Sequence, residues 1–406
     1  MINVRVKSPT TIFLPVLILG LTILPLVWWA NAPVPFELPR VWFFNRWIEI
    51  LVLVGLLQAF TKISVKRLDT RLITLIILFF LAAVLSSVVT GHFYKSFWGN
   101  YYRSDGLFTL AHLVGLSLLL SLLWEDSWAM PVAIAVALGS ILTSSISLFE
   151  LWKIHISRGN WVNIWQVVLG STFGQPNFLG GYILISLPFT LYLFQNQNFK
   201  KFRLLAIPGL LIQISALFLT HSWGAVMGLI LLGLMYILFS KRHIYQKVFA
   251  VSLISLILIG LLYSYIWQTY KQGFVAESRS RIFHKLSLSI VKKPIFGWGW
   301  ANVDYAFEES VWPIRFTNDI YLDKAHSDGL EILTTTGILG LIIYVLVIIT
   351  ILRKIRKKLF KQKNQQNFFK TLFLVFILFL FHSQTNVISI NEELFFWFIA
   401  GIAANN

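Results

Sequence analysis

The feature that most constrains this chain is a series of long apolar segments that recurs from one end to the other. We place twelve of them, near residues 10–30, 43–61, 70–90, 106–124, 128–150, 174–195, 203–220, 223–240, 247–267, 331–352, 368–382 and 392–404. Most have roughly the 17–25 residues that a helix needs to cross about 30 Å of hydrocarbon, and the last two are shorter. Only 13 % of the residues are charged, and no segment resembles a separate soluble domain. The sequence therefore predicts an all-α, polytopic integral membrane protein, with a single membrane domain over residues 1–406.

The basic residues are distributed unevenly between the two sides of the predicted membrane. The net charge of +17 would suit a nucleic-acid partner, but most of the 34 lysines and arginines fall in alternate connecting segments. The largest group lies between Arg353 and Lys370. This positive-inside bias predicts that both termini are cytoplasmic and that residues 268–330 form a long extracytoplasmic loop between spans nine and ten of the cytoplasmic membrane. We expect the positive charge to attract anionic lipid and no nucleic acid.

Two further features bear on the compartment. The chain contains no cysteine, which excludes disulfides, iron–sulfur clusters and thiolate catalysis. Residues 30–32 (Ala-Asn-Ala) resemble a signal-peptidase site. The preceding apolar run, of about 19 residues, exceeds the usual signal length of about 7–15, so we predict an uncleaved anchor.

The loop of residues 268–330 holds the residues best suited to chemistry. It carries the closely spaced pair Arg279 and Arg281, an aromatic and glycine run at 296–300, and His326 where the chain returns to the membrane. A pore or carrier rarely needs so long a polar and aromatic loop. An enzyme that works at the membrane surface does.

Residues 281–293 of this loop are amphipathic. One side carries Ile282, Phe283, Leu286, Ile290 and Val291, and another carries Lys285, Ser289 and Lys292. This spacing predicts a helix that lies in the membrane interface and ends at Pro294.

His326 is the candidate catalytic residue. An imidazole, whose ordinary pKa is about 6.5, can take a proton from a sugar or serine hydroxyl at neutral pH. The alternative is an interfacial histidine that only hydrogen-bonds a loop carbonyl.

Three arginines are candidate diphosphate-binding residues: Arg279, Arg281 and Arg103. A guanidinium binds phosphate oxygens with two hydrogen bonds and keeps its charge near lipid. The alternative is ordinary attraction to anionic headgroups.

The loop aromatics are candidates for glycan binding, chiefly Trp298, Trp300 and Tyr321. They could stack on sugar rings, or they could belong to the aromatic belt expected at membrane interfaces. The acidic residues of the loop show no metal-ligand spacing, so we predict neither a metal nor a cofactor.

The order of these motifs resembles the O-antigen ligase and polymerase superfamily of bacterial glycan-assembly enzymes, which includes protein O-oligosaccharyltransferases. The resemblance runs from about Tyr101 to the end of the chain. Its strongest segments are RSRIFHKLSLSIVKKPIFGWG at 279–299 and HSDGLEILTTTGILGLIIY at 326–344. Weaker matches are YYRSDGL at 101, STFGQPNFLGGYI at 171 and FHSQTNVISINEELFFWFIAG at 381.

The resemblance implies a glycosyltransferase without a metal or cofactor. The donor would be an oligosaccharide on a polyprenyl diphosphate at the outer face of the cytoplasmic membrane. The acceptor would be a hydroxyl of a glycan, a lipid or a protein, and the anomeric carbon would invert. His326 would correspond to the catalytic histidine of the superfamily and Arg279 to its diphosphate-binding arginine.

The chain also departs from the superfamily pattern. Members often carry an arginine after the serine of the corner between spans seven and eight, where this chain has Trp223. Arg103 or Arg281 would then have to supply that charge. Smaller departures are Phe283 in place of a tryptophan and Ser327 in place of an asparagine.

The sequence does not distinguish a polymerase from a ligase. The absence of a soluble domain after the last span favours a polymerase or a glycan-to-lipid ligase over a dedicated protein glycosylase. The alternative from another class is a multi-span transporter or flippase of a lipid-linked glycan. Such proteins usually show midplane charge pairs and pseudo-symmetric halves, which this sequence lacks.

Overall fold

The computed structural model of the chain describes residues 10–61, 69–158, 169–195, 200–239, 279–310, 322–362 and 365–405. Within these stretches the chain forms fourteen α-helices and no β-strand. The helices of the first half are α1 (Thr10–Ile23), α2 (Glu37–Thr61), α3 (Thr70–Val89), α4 (Phe93–Trp98), α5 (Leu107–Leu123), α6 (Ala129–Arg158) and α7 (Pro176–Gln195). Those of the second half are α8 (Lys200–Leu219), α9 (Trp223–Phe239), α10 (Arg279–Lys292), α11 (Val303–Glu309), α12 (Asp328–Lys361), α13 (Gln366–Thr385) and α14 (Ile390–Ala404). The prediction of an all-α protein is confirmed for the described residues.

Several of these helices have the length and composition of membrane spans. Five described stretches are long and apolar enough to cross a bilayer: Thr70–Val89, Asp126–Ser157, Pro176–Gln195, Asp328–Lys361 and Gln366–Thr385. Shorter apolar helices occur at Ile12–Leu26, Leu107–Leu123, Ala206–Leu219 and Trp223–Phe239. The chain is therefore a multi-pass membrane protein, as its composition predicts.

Eleven of the twelve predicted spans coincide with helices, and the segment at 247–267 lies outside the described residues. The boundaries differ in places. The first helix ends at Ile23 because a 3₁₀ turn that contains Pro25 follows it. Helix α12 extends beyond residue 352 to Lys361, because the basic segment continues the helix past the apolar run. The count of twelve and the position of the long loop stay predictions.

The centre of the bundle is formed by α7 and α14, which are buried along nearly their whole length. Close approach of α14 to α5 depends on Gly401, where a Cβ would lie 2.6 Å from the carbonyl oxygen of Ser117. The Ser117 hydroxyl also donates a hydrogen bond to the carbonyl of Trp397. Small residues and buried hydroxyls therefore hold these helices together, as is usual between membrane helices.

Helix α10 and the turns after it form a small core of their own beside the bundle. Ile282, Leu286, Trp298, Val303, Ala306, Phe307, Leu322 and Ala325 are buried together there. The predicted helix is confirmed, but its predicted faces are partly wrong. Lys285 and Ser289 are buried, while Phe283 and Val291 are exposed. Lys285 and Ser289 are buried because of tertiary contacts. The Lys285 amine lies 3.9 Å from the ring centroid of Phe307, and the Ser289 hydroxyl donates a hydrogen bond to the Ala306 carbonyl.

Helix α12 is interrupted at Gly337, whose φ of 66° and ψ of −168° are not helical. The interruption leaves backbone groups without helical partners, and residues 294–300, which we call the strap, supply them. The amide of Trp298 donates to the Thr334 carbonyl at 2.9 Å, and the amide of Ile338 donates to the Pro294 carbonyl at 2.9 Å. The strap thus joins the described residues 279–310 to the helix that begins just after His326.

Glycines make the contact between strap and helix possible. A Cβ on Gly337 would lie 2.2 Å from the carbonyl oxygen of Ile295, and one on Gly297 would lie 2.6 Å from the amide nitrogen of Gly337. Both residues have positive φ, which other residues rarely adopt. The two strongest sequence motifs are therefore two halves of one backbone junction.

We expect Gly337→Ala to lower the free energy of unfolding by roughly 2–4 kcal/mol, since left-handed backbone strain adds to the overlap with the strap. Gly115→Ala is the matched control, because a Cβ placed there has no described atom within 4 Å apart from its chain neighbours and its own helix backbone. Denaturant unfolding of the purified protein in detergent compares them. Equal stability of the two variants would contradict this account of the junction.

Candidate functional site

His326 lies in the turn immediately before α12 and has a φ of 57°, in the left-handed region. Its neighbours hold this turn in place. The Ser327 hydroxyl donates to the side-chain oxygen of Gln384 at 3.0 Å, and the Ala325 amide donates to the Glu331 carboxylate at 3.4 Å. A half-buried residue held in a rarely populated conformation is typical of a functional site.

His326 lines a small cavity of about 70 Å³ with both charged and apolar walls, which we call the His326 cavity. Its charged described lining residues are Glu37, Arg103, Asp105, Lys324, Asp328, Glu331 and Glu393. Trp300, Tyr344 and Asn386 also line it. A cavity of this volume holds only a few water molecules.

An ion network organises this cavity. The Lys324 amine lies 2.5 Å from a carboxylate oxygen of Asp105 and 2.6 Å from one of Glu331. Burial alone would lower the pKa of Lys324, but the two carboxylates raise it above its ordinary value. Burial raises the pKa of Asp105, but Lys324, the Asn100 amide and Arg103 together lower it below its ordinary value. Both groups are therefore charged at neutral pH, and they join the loop before α12 to the start of α5.

We expect Lys324→Met to destabilise the protein by roughly 3–5 kcal/mol, because it leaves two largely buried carboxylates without their cation. Lys292→Met is the matched control. The Lys292–Glu309 pair spans 3.0 Å, with side chains 51 % and 48 % exposed, and such a pair contributes about 1 kcal/mol at most. Unfolding in detergent measures both. Equal losses would show that the Lys324 network is not structural.

The electrostatic surroundings keep His326 neutral. Burial lowers its pKa most, and the positive charges of Arg279 and Arg103 lower it further, against the opposing effect of Asp323. At neutral pH the ring therefore carries one proton and one available lone pair. This is the form that accepts a proton from a hydroxyl.

Arg279 lines a second and larger cavity of about 390 Å³, which we call the Arg279 cavity. Its other described lining residues are Asn177, His221, Trp223, Gly224, Met227, Phe381, Thr385 and Asn386. None of these is acidic. The volume is within the usual range for small-molecule sites, about 300–1,000 Å³.

Asn386 joins the two cavities, since it lines both. Its side-chain oxygen accepts a hydrogen bond from the Arg279 guanidinium at 3.5 Å. The close approach of α9 to Asn386 requires Gly224, where a Cβ would lie 2.0 Å from the Asn386 amide nitrogen. The structure thus brings His326 and Arg279, predicted together from the sequence, to adjoining cavities.

The other two candidate arginines lie differently. Arg103 lines the His326 cavity, where its guanidinium forms an ion pair with Asp323 and lies 5.1 Å from the ring centroid of Phe178. The Arg281 guanidinium lies 5.9 Å from the ring centroid of Phe307 in the loop core. Arg281 is absent from the described linings of both cavities.

The candidate aromatic residues also lie in different parts of the structure. Trp300 lines the His326 cavity, and its indole donates a hydrogen bond to the Asp105 carbonyl at 2.9 Å. Trp298 is only 7 % exposed in the loop core, and its indole donates to the Ser289 carbonyl at 3.0 Å. This leaves little ring surface for a sugar. Tyr321 lies outside the described residues.

Sequence reasoning did not select Asn386, Glu331 or Glu393 as site residues. A signal for the two acids was present, because carboxylates at the start of otherwise apolar helices usually face a bundle interior or a wet cavity. Asn386 gave no such signal. Its position between the cavities depends on the packing of α9 and α13, which are far apart in the sequence.

Comparison with known proteins indicates the family that this chain resembles. Residues 208–345, which contain Arg279, the strap, His326 and the start of α12, match the family model described as O-antigen ligase. The resemblance to the O-antigen ligase superfamily is confirmed. Within 190 residues the chain is also 26 % identical to the ComP-specific O-oligosaccharyltransferase of Acinetobacter baylyi. That match covers 44 % of this chain and 34 % of the relative, so the chain spans about a third of the length of the curated relative that it matches.

Proposed function

We propose that this protein transfers a glycan from a polyprenyl diphosphate to an acceptor hydroxyl at the outer face of the cytoplasmic membrane. The observation that carries the proposal is the pairing of a neutral His326 with Arg279 in adjoining cavities that share Asn386. A base and an anion-binding cation in this relation are what displacement of a diphosphate by a hydroxyl requires.

The proposed reaction is a direct displacement at the anomeric carbon. The bond between this carbon and the diphosphate oxygen breaks, and the electron pair leaves with the polyprenyl diphosphate. The acceptor oxygen forms the new bond from the opposite side, which inverts the configuration. His326 takes the proton of the acceptor hydroxyl as this bond forms. Neither a metal nor a cofactor is part of the proposal.

Arg279 is proposed to stabilise the departing diphosphate. Its guanidinium lines a cavity without described acidic residues, where a negative ligand meets little repulsion. Positive charge at such a partly dehydrated site stabilises developing negative charge more strongly than in water. Arg103 and Arg281 have weaker support as phosphate ligands, because Asp323 already neutralises Arg103 and Arg281 contacts Phe307.

We further propose the topology that this reaction needs. Twelve spans, cytoplasmic termini and an extracytoplasmic loop at 268–330 would place both cavities at the outer face of the membrane. Support comes from the distribution of basic residues and from the position of His326 just before a helix long enough to span the bilayer. Trp300 is the proposed glycan contact with the best support, because it lines the His326 cavity.

The proposal is tested with purified protein in liposomes that contain polyprenyl-diphosphate-linked oligosaccharide from the source cells. We expect loss of the donor and appearance of larger glycan products. A ladder of products would identify a polymerase, and a single transfer would identify a ligase to a glycan, a lipid or a protein. An unchanged donor in the presence of these acceptors would contradict the proposal.

A further inference from the structure

We propose that His221 is a second ligand of the diphosphate in the cavity that Arg279 also lines, and that Trp223, Met227 and Phe381 hold the first apolar units of the lipid chain. This inference rests on the proposed function and deepens it, because it names a second diphosphate ligand of this chain and the side chains that contact the lipid.

His221 is placed for this role by the corner between α8 and α9. Its φ is 52°, in the left-handed region, and its amide donates to the Phe218 carbonyl at 3.2 Å. The next residue is fixed as well, since the Ser222 amide donates to the Thr220 hydroxyl at 3.2 Å. A strained but anchored corner therefore holds the half-buried His221 at the wall of the cavity.

The composition of the cavity indicates an anionic ligand. Arg279 supplies a positive charge, His221 supplies a ring nitrogen that can donate a hydrogen bond, and no described lining residue is acidic. The amides of Asn177 and Asn386 add neutral hydrogen-bonding groups. An imidazole donates an N–H to a phosphate oxygen, and it adds charge when protonated.

The remaining wall indicates that the anion is attached to an apolar chain. Trp223, Met227 and Phe381 belong to the apolar helices α9 and α13. A cavity lined by Arg279 and His221 and also by large apolar side chains suits the junction between a diphosphate and a polyprenyl tail. Inorganic pyrophosphate has no chain to contact the apolar side chains.

The other arginine candidates do not occupy this position. Arg103 lines the His326 cavity and pairs with Asp323. The Arg281 guanidinium lies over Phe307 in the loop core. His221 is therefore the described group best placed to act with Arg279.

Equilibrium binding of a polyprenyl diphosphate without glycan tests the inference, because this measurement does not require turnover. We expect His221→Gly to weaken binding about tenfold or more, the usual effect of losing one charge-assisted hydrogen bond. Glycine suits the left-handed backbone, so this variant removes the ring without adding strain. His221→Lys, whose thermal unfolding is checked first, should keep binding within about threefold.

His284→Gly is the matched control, since His284 is exposed on α10 and lines neither cavity. We also expect inorganic pyrophosphate to bind at least about 100-fold more weakly than the lipid diphosphate. Lipid binding by His221→Gly within twofold of wild type would overturn the role of His221. Pyrophosphate binding as tight as lipid binding would overturn the role of the apolar wall. Tight, His221-dependent binding without glycan transfer would instead leave this inference standing and remove the proposed reaction.

Discussion

Replacing His326 with asparagine is expected to lower glycan turnover at least about 10²-fold while the protein stays folded. The loss follows from removal of the base that takes the acceptor proton, a contribution of typically about 10²–10⁴-fold. Asparagine is chosen because it tolerates the left-handed backbone that His326 adopts. Turnover is measured as product formed per minute at saturating donor, beside the melting temperature in the same detergent.

His284→Asn serves as the control for this prediction, because His284 is exposed on α10 and lies in neither described cavity lining. We expect its turnover to equal that of wild type. Binding of the glycan-free polyprenyl diphosphate should be nearly unchanged in His326→Asn, since Arg279 remains. A folded His326→Asn protein with wild-type turnover would exclude this residue as the base.

Replacing Arg279 with glutamine is expected to lower turnover by about 10²-fold, because the departing diphosphate loses its principal cation. Glutamine keeps a hydrogen-bond donor, so the variant isolates the charge. Arg281→Gln tests the neighbouring arginine two residues along the same helix. Its guanidinium contacts Phe307 rather than either cavity, and we expect a smaller effect. Equal losses in the two variants would contradict the assignment of the diphosphate to Arg279 rather than to Arg281.

We also expect Arg279→Gln to change the pH dependence of turnover. Arg279 lowers the pKa of His326, after burial, so its removal should raise that pKa. The protonated ring cannot accept a proton, so the acid limb of the rate profile should move to higher pH in Arg279→Gln. Asp323 has the opposite influence, and Asp323→Asn should move the acid limb to lower pH. Turnover measured from pH 5 to 8 (about the range in which histidine titrates) would reveal both shifts, and movement in the same direction would refute this electrostatic account.

The helices could be predicted from the sequence because the relevant signals are local, whereas the two main candidate site residues stay predictions. Apolar length identifies spans, and Pro176 at the first position of α7 marks a helix start. His326 and Arg279 were selected by residue type, by position in the long loop and by resemblance. Their arrangement in adjoining cavities is a property of the structure alone.

Features that depend on contacts between residues far apart in the sequence were not predicted. Lys324 pairs with Asp105, more than two hundred residues earlier in the chain, and no local pattern indicates such a pair. The interruption of α12 at Gly337 is also tertiary, because the strap satisfies the backbone groups that the interruption exposes. The faces of α10 were partly wrong for the same reason. Lys285 is buried over the Phe307 ring, whereas periodicity alone places this side chain in solvent.

The measurement that tests the central claim most directly is the mass balance of the lipid carrier. Purified wild-type protein and His326→Asn would be placed in liposomes with lipid-linked oligosaccharide, and polyprenyl diphosphate and transferred glycan would be quantified together. The account predicts that wild type releases one polyprenyl diphosphate for each glycan transferred, and that His326→Asn releases at least about 10²-fold less per unit time. Intact donor that crosses the bilayer without release of polyprenyl diphosphate would contradict the account and identify a flippase.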